Sequence, residues 1–270
     1  MSDPPTLETE LARARNLRVS DLADAIESIG FECTRCGACC KGHTADDGER
    51  EPHTATVFPD EVRELQGAAG DGSDGNSGSG GTGGGADGDG ADGPAYDWRD
   101  VARPMPYGIT DGPEGPEGET FEWALQTDAC GDCTFYEESD GTGACTVHDD
   151  RPLICATYPF SVALGGTTQP MGEAVDSAGP EVPRADGPAA DGSVDTERMV
   201  RAHECEGLGR DISRTEAEEL AAALKQRAVR ELEEAIAVRD NYEPADTDGV
   251  VVHDSEGAKR PDGTPVSSEE

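Results

Sequence analysis

The chain is 270 residues long, with 58 acidic against 21 basic side chains and a net charge of -37. Leu, Ile, Val and Phe together fill about one position in seven, few for an ordinary globular core and close to the composition of a disordered chain. No apolar run approaches the roughly 18 residues of a membrane span, and so negative a field repels phosphate backbones and anionic headgroups. Neither a nucleic-acid nor a membrane partner is therefore expected.

The first residues, MSDPPTLETE, show neither a cationic nor an apolar leader segment, which predicts thiols kept reduced in the cytoplasm. Within the N-terminal helical segment, 1–29, Leu22, Ile26 and Ile29 fall at offsets 0, 4 and 7. Ser20 is placed to cap and Gly30 to stop a short amphipathic helix there. Residues 30–212 hold the cysteines. After FECTRCGACC at 31–40, TATVFPDEVRELQ predicts an extended piece through Val57 and Phe58, then a helix opened by Pro59 with Asp60 and Glu61 at its positive end.

From Gly67 to Gly93, 13 of 27 residues are glycine and five are aspartate. Such a stretch has nothing to bury and reads as a flexible acidic insertion, not a phosphate-gripping loop. Apolar residues resume at Tyr96, Trp98, Phe121 and Trp123, and TYPFSVALGG predicts a strand ending at Gly165 and Gly166. Residues 172–196, rich in Gly, Pro, Ala and Asp, are expected to form a second flexible insertion. In 213–240, Ser213 and Glu216 have capping-box spacing, and Leu220, Leu224, Ala228, Leu232 and Ile236 mark one face of a long helix. The tail, 241–270, is polar and expected to be disordered. These elements predict one α+β domain, with helices flanking a small irregular core organised by metal.

Nine cysteines argue against disorder, because bound metal supplies folding free energy that a small apolar interior cannot. Cys33, Cys36, Cys39 and Cys40 form C-x2-C-x2-C-C. Inert buried thiols are the bland alternative, but this density favours a metal, since a C-x2-C turn brings two thiolates to one ion. Thiolates so close repel one another unless zinc or iron supplies positive charge. Cys130, Cys133, Cys145, Cys155 and Cys205 complete the set. Adjacent side chains in extended backbone point to opposite sides, so Cys39 and Cys40 are expected to serve different centres. Two four-ligand sites fit the count, as does one cluster beside a redox pair.

The block CTRCGACC, followed by CTVHDDRPLICATYPF and CEGLG, resembles the YkgJ-type CxxCxxCC family, described as zinc- or iron-chelating proteins. The resemblance spans residues 31–66 and 96–212. It implies metal ligands at Cys33, Cys36, Cys39, Cys40, Cys133, Cys145, Cys155 and Cys205, and leaves Cys130 over. It extends faintly to flagellin lysine methylases with a related cysteine-rich region, although no methyl-donor feature is visible. Zinc and iron–sulfur clusters suit thiolates alike. Eight thiols without the four-by-four spacing of a zinc ribbon tilt the choice slightly toward iron–sulfur.

Arg151-Pro152 and Tyr158-Pro159-Phe160 either tune such a centre through hydrogen bonds or simply shape a turn and an aromatic lid. His148 is a weak candidate ligand, because the family resemblance allows tyrosine there. His43 and His53 lie on polar loops expected to face solvent, and His203, two residues before Cys205, is the better outside ligand. The function these features predict is cytoplasmic thiolate chelation of zinc or iron. A redox or methyltransferase-related enzyme is one alternative, and a structural zinc module recruiting a protein partner through the C-terminal helix is another. No Ser-His-Asp order, dinucleotide fingerprint or HExxH strengthens an enzyme class. The acidic residues, spread along a chain whose only lysines are Lys41, Lys225 and Lys259, resemble those of halophile proteins. Molar salt shortens the Debye length to about 3 Å and screens the self-repulsion.

Overall fold

The computed structural model describes residues 5–45, 48–71, 96–166, 174–188, 194–245 and 248–266. The chain opens with helices α1 (Leu7–Asn16) and α2 (Val19–Ile29). Thr6 caps α1 by accepting the Thr9 N–H. Helix α2 begins at Val19 after Arg18, so Ser20 lies inside its first turn instead of capping it. Gly30 ends α2 at φ +80°, where a Cβ would also press on the Arg210 carbonyl.

Beyond the first cysteines come β1 (His43–Thr44), β2 (Arg50–Glu51), β3 (Thr56–Val57) and α3 (Pro59–Asp71). Helix α3 runs on to Asp71, five residues into the acidic insertion expected at 67–93, and the rest of that insertion, 72–93, lies outside the described residues. Helix α4 (Trp98–Val101) is closed by a capping box between Asp97 and Asp100. It leads into β4 (Ala102–Pro104), β5 (Ile109–Gly112), β6 (Gly115–Thr120), β7 (Trp123–Leu125), β8 (Tyr136–Ser139), β9 (Thr142–Cys145), α5 (Leu153–Thr157) and β10 (Phe160–Val162). The last elements are β11 (Ala174–Pro188), β12 (Val194–His203), α6 (Arg214–Asn241), β13 (Val250–Asp254) and β14 (Gly257–Lys259).

The chain is α+β, as expected, and its apolar residues gather in two clusters, one of them beside the cysteines. Helices α1, α2 and α6 pack on the sheet β10-β12-β11 around Leu11, Leu22, Ile26, Phe160, Val200 and Leu224, a cluster with no cysteine in it. A second cluster joins the sheet β3-β7-β4 to α3 and α4 around Val62, Leu65, Val101, Trp123 and Leu125. Cys133 is buried in this cluster, and Cys40, Cys145 and Cys155 pack against it. Average composition is misleading because the acidic, glycine-rich stretches dilute it. The apolar residues that remain are concentrated where helix and strand periodicity can bury them.

Two regions expected to lack structure have it. Between 174 and 203 the chain forms an antiparallel pair, β11 with β12, interrupted by register shifts. Its inner face buries Val200 and Ala202 beside Val162 of β10. The remainder of that predicted insertion, 172–173 and 189–193, lies outside the described residues. In the tail, β13 runs parallel to β6 and antiparallel to β14, burying Val251 and Val252. The buried Asp254 carboxylate accepts Trp123 Nε1–H at 2.8 Å and Lys259 Nζ–H at 2.7 Å. Trp123 is 131 residues away in sequence, so the polarity of this segment looked unpaired.

Ser213 and Glu216 form the expected capping box of α6. Leu224, Ala228 and Leu232 are buried, with Leu220 and Ile236 packed beside them. The stripe considered above as a partner-recruiting face packs within the chain against α1 and α2. On another face, buried Arg227 donates to Glu231 at 2.7 Å and to Thr157 Oγ1 at 3.1 Å, tying α6 to α5.

His53 departs from its expected exposure. It is half-buried, and burial with the nearby Arg103 guanidinium drives its pKa down to about 4. A folded-state pKa below the ordinary 6.5 means that the unfolded chain binds a proton first as pH falls, so folded stability is lost between about pH 6.5 and 4. We expect His53→Gln to remove about 2 kcal/mol of that pH dependence. Denaturant titrations of both proteins at pH 7 and 4.5 would show it; identical pH slopes would refute the assignment.

Candidate metal centre

The first cysteine segment is held on two sides by backbone. On one side Phe31 bridges Leu208, Glu32 N–H donates to Gly207 C=O at 3.1 Å, and Gly209 N–H donates to Gly30 C=O at 3.0 Å. Cys205 therefore hangs beside residues 30–36. On the other side the Arg35 carbonyl accepts Gly143 N–H, and the Cys40 carbonyl accepts Cys133 N–H, each at 2.8 Å. Gly37, at φ +76°, allows the chain to pass against the Tyr136 ring, where any Cβ would collide with the phenol. Strands β8 and β9 set Tyr136 opposite Cys145, and α5 carries Cys155.

Cys39 and Cys40 are not in extended backbone. They close a 3-10 turn, Ala38–Cys40, in which the two Sγ atoms stand 3.8 Å apart. The expectation that neighbouring thiols face opposite ways fails here, because a 3-10 turn rotates successive side chains by about 120° instead of the roughly 180° of a strand, and these two sulfurs reach each other. The two can face a common centre.

Electrostatics bind the remaining thiols to this pair. Cys39 is driven far above its ordinary pKa, first by its hydrogen bond with Cys40, then by burial and by the Cys40 charge. Burial first, then Cys145 and Cys39, pushes Cys133 up to about 11. Burial and then the charges of Cys133, Cys39 and Cys145 raise Cys155. Cys145 is raised by burial foremost and feels Cys39. Cys205 is raised by burial, then by Cys39, Cys36 and Cys33, and the Gly207 N–H on its sulfur at 3.4 Å works in the opposite direction. The Tyr158 phenol, donating to the Glu204 carbonyl, is pushed up to about 12 by burial, then by Cys205, Cys39 and Cys36.

Eight thiols thus share one region, with Cys39 coupled to both sides of it. Cys133, Cys145 and Cys155 lie toward β8, β9 and α5, whereas Cys33, Cys36 and Cys205 lie toward the loop after β12. Cys130 stands apart on an exposed turn, its N–H donating to Asp128 and its carbonyl accepting from Arg50. Among the described residues, no group of three or more His, Cys, Asp or Glu side chains is already arranged to hold an ion. The donor chemistry nevertheless fits a soft cation, since crowded, desolvated thiols hold their protons until a positive charge takes their place.

Residues 100–206 match the CxxCxxCC family. That family is described as a "putative zinc- or iron-chelating domain". The matched part contains Cys130, Cys133, Cys145, Cys155 and Cys205, and the Cys33–Cys40 segment precedes it in sequence while meeting it in space. No curated protein and no solved structure matches. Among the described residues, no helix is long and apolar enough to cross a membrane.

Around the CxxCxxCC cysteines, the histidines take other roles. His203 is buried in β12 with Nε2 at 2.8 Å from Ser161 Oγ. His148 is exposed beside Asp149, and exposed His43 stands against Glu51. Arg151 is the basic residue of the site. Its guanidinium, anchored by donation to the His148 carbonyl at 2.9 Å, favours the thiolate forms of Cys39, Cys145 and Cys155. Phe160 is a core residue, edge-on to Phe31 at 5.7 Å. Sequence reasoning did not single out Asp132, whose Oδ1 accepts Gly42 N–H at 2.9 Å and Arg50 at 2.7 Å. Only its position next to Cys133 could have drawn attention to it.

Proposed function

We propose that this chain chelates zinc or iron through the thiolates of Cys33, Cys36, Cys39, Cys40, Cys133, Cys145, Cys155 and Cys205 in the reducing cytoplasm, with an iron–sulfur centre favoured over zinc. The observation that carries the reading is that backbone hydrogen bonds from Glu32 to Gly207, Gly143 to Arg35 and Cys133 to Cys40 bring the Cys33–Cys40 segment against the stretches bearing Cys133, Cys145 and Cys205, with the Cys39 and Cys40 sulfurs 3.8 Å apart between them. A fold that brings so many thiols into one region gains little from them as isolated hydrophobes. Bound metal would supply the positive charge that lets them ionise together. Arg151 contributes a fixed positive charge toward the same end, and the Gly207 N–H orients Cys205. The preference for iron–sulfur rests on the number and spacing of the thiols, which suit a zinc ribbon poorly.

Anaerobic purification in molar KCl, followed by metal analysis and an absorption spectrum, tests both levels of the proposal. Stoichiometric iron with labile sulfide and charge-transfer bands is the expected result. Colourless protein with zinc alone would overturn the iron–sulfur preference and leave chelation standing. Protein that carries neither metal and rebinds none after reduction would overturn chelation itself.

A further inference from the structure

The two apolar clusters meet at a groove of about 630 Å³ that contains no cysteine. Val57 and Trp123 line it from the second cluster, and Val162 and Leu232 from the first. This volume lies within the range of small-molecule sites. Among the described residues, three of the five exposed large hydrophobics stand at it: Tyr107 is 71% exposed, Phe121 47% and Tyr242 40%. Phe121 and Tyr242 form one aromatic group with His253, their centroids 5.5 Å apart and each within 5.6 Å of the imidazole. Exposed aromatic side chains gathered at one concavity mark a binding surface more often than scattered ones do.

The charge at the groove is one-sided. Glu122, Glu231, Glu234 and Asp254 line it against a single guanidinium, Arg239. Arg239 is already engaged by Glu8 at 2.7 Å and Asp240 at 2.8 Å. Glu231 is paired with Arg227 and Asp254 with Lys259, while Glu234 accepts the Ser255 N–H at 2.7 Å. Among the described residues, nothing pairs with the Glu122 carboxylate. Glu122 is exposed at the groove's edge, and its pKa is raised by desolvation, then by Glu231 and Glu234.

We propose that this groove binds a small organic cation with an apolar body, an alkyl- or arylammonium, whose charge meets Glu122 and whose body lies in the groove beside the exposed Phe121 and Tyr242. An ammonium group satisfies the unpaired carboxylate, and aromatic faces attract it further through their quadrupoles. The apolar walls bury its body. A carboxylate ligand of the same shape would meet three glutamates, so the groove selects by sign as well as by shape.

The metal-loaded full chain, titrated at fixed KCl concentration with hexylammonium and separately with hexanoate, tests the proposal by calorimetry or chemical-shift perturbation. Saturable binding of hexylammonium is expected, with hexanoate at least about tenfold weaker. Glu122→Gln and Tyr242→Leu should each weaken hexylammonium about fivefold without changing metal content, since neither residue belongs to the thiol region. Equal affinity for the two probes would overturn the proposal. So would the absence of saturable binding, including the case in which self-association covers the groove, or undiminished affinity in both folded variants.

Discussion

Replacing Cys39 with serine is expected to remove most of the bound metal, lowering affinity by about a hundredfold or more on the scale of a lost thiolate–metal bond. Cys39 influences both groups of sulfurs, Cys133, Cys145 and Cys155 on one side and Cys205 on the other. A serine hydroxyl is a harder donor and does not ionise at neutral pH, so it cannot replace the sulfur on soft metal. Cys130→Ser provides the control: Cys130 sits on an exposed turn outside the coupled set, and its removal should leave metal per chain unchanged. Element-specific mass spectrometry on anaerobically purified protein decides the matter. Full metal content in Cys39→Ser would remove Cys39 from the ligand set, and loss of metal in Cys130→Ser would mean that the ligand set has been drawn in the wrong place.

Leu22→Ala is expected to cost about 3 kcal/mol of folding stability, within the usual range for truncating a fully buried leucine. Leu22 is 0% exposed, in a cluster of helices and sheet without a cysteine. Its loss should therefore be similar with and without a chelator, and the variant should still take up metal in full where it is folded. Chelation should act differently, weakening the second cluster, against which Cys40, Cys145 and Cys155 pack, while leaving much of the helical signal. Denaturation followed by circular dichroism with and without chelator measures both effects. If metal removal alone unfolds the α1, α2 and α6 layer, then metal organises the whole chain after all.

The parts of the fold that were legible in the sequence are those fixed by neighbouring residues. The capping box of Ser213 and Glu216, the ridge along α6, the start of α3 at Pro59 and the stop of α2 at Gly30 depend on contacts within a turn or two, which spacing encodes directly. The order of β13 and β14 was not legible. Asp254 and Lys259 look like tail polarity until Trp123, 131 residues from Asp254, is seen to donate to that carboxylate. Strands β11 and β12 were hidden likewise, because a Gly- and Pro-rich composition masks pairing that only a third strand, β10, makes worthwhile.

The shortage of apolar residues and the abundance of cysteine determined, from sequence alone, which chemistry this chain offers: soft thiolate donors within an acidic protein. Residue identity decides ligand softness and net charge, and neither depends on the fold. Tertiary structure decided the arrangement. It placed Cys39 and Cys40 side by side in a 3-10 turn, brought Cys205 and the β8–β9 hairpin to opposite sides of that turn, left Cys130 outside, and filled the rest of the molecule with two apolar clusters. These outcomes rest on contacts between residues far apart in the chain, whose energies appear only once folding has closed the loops between them.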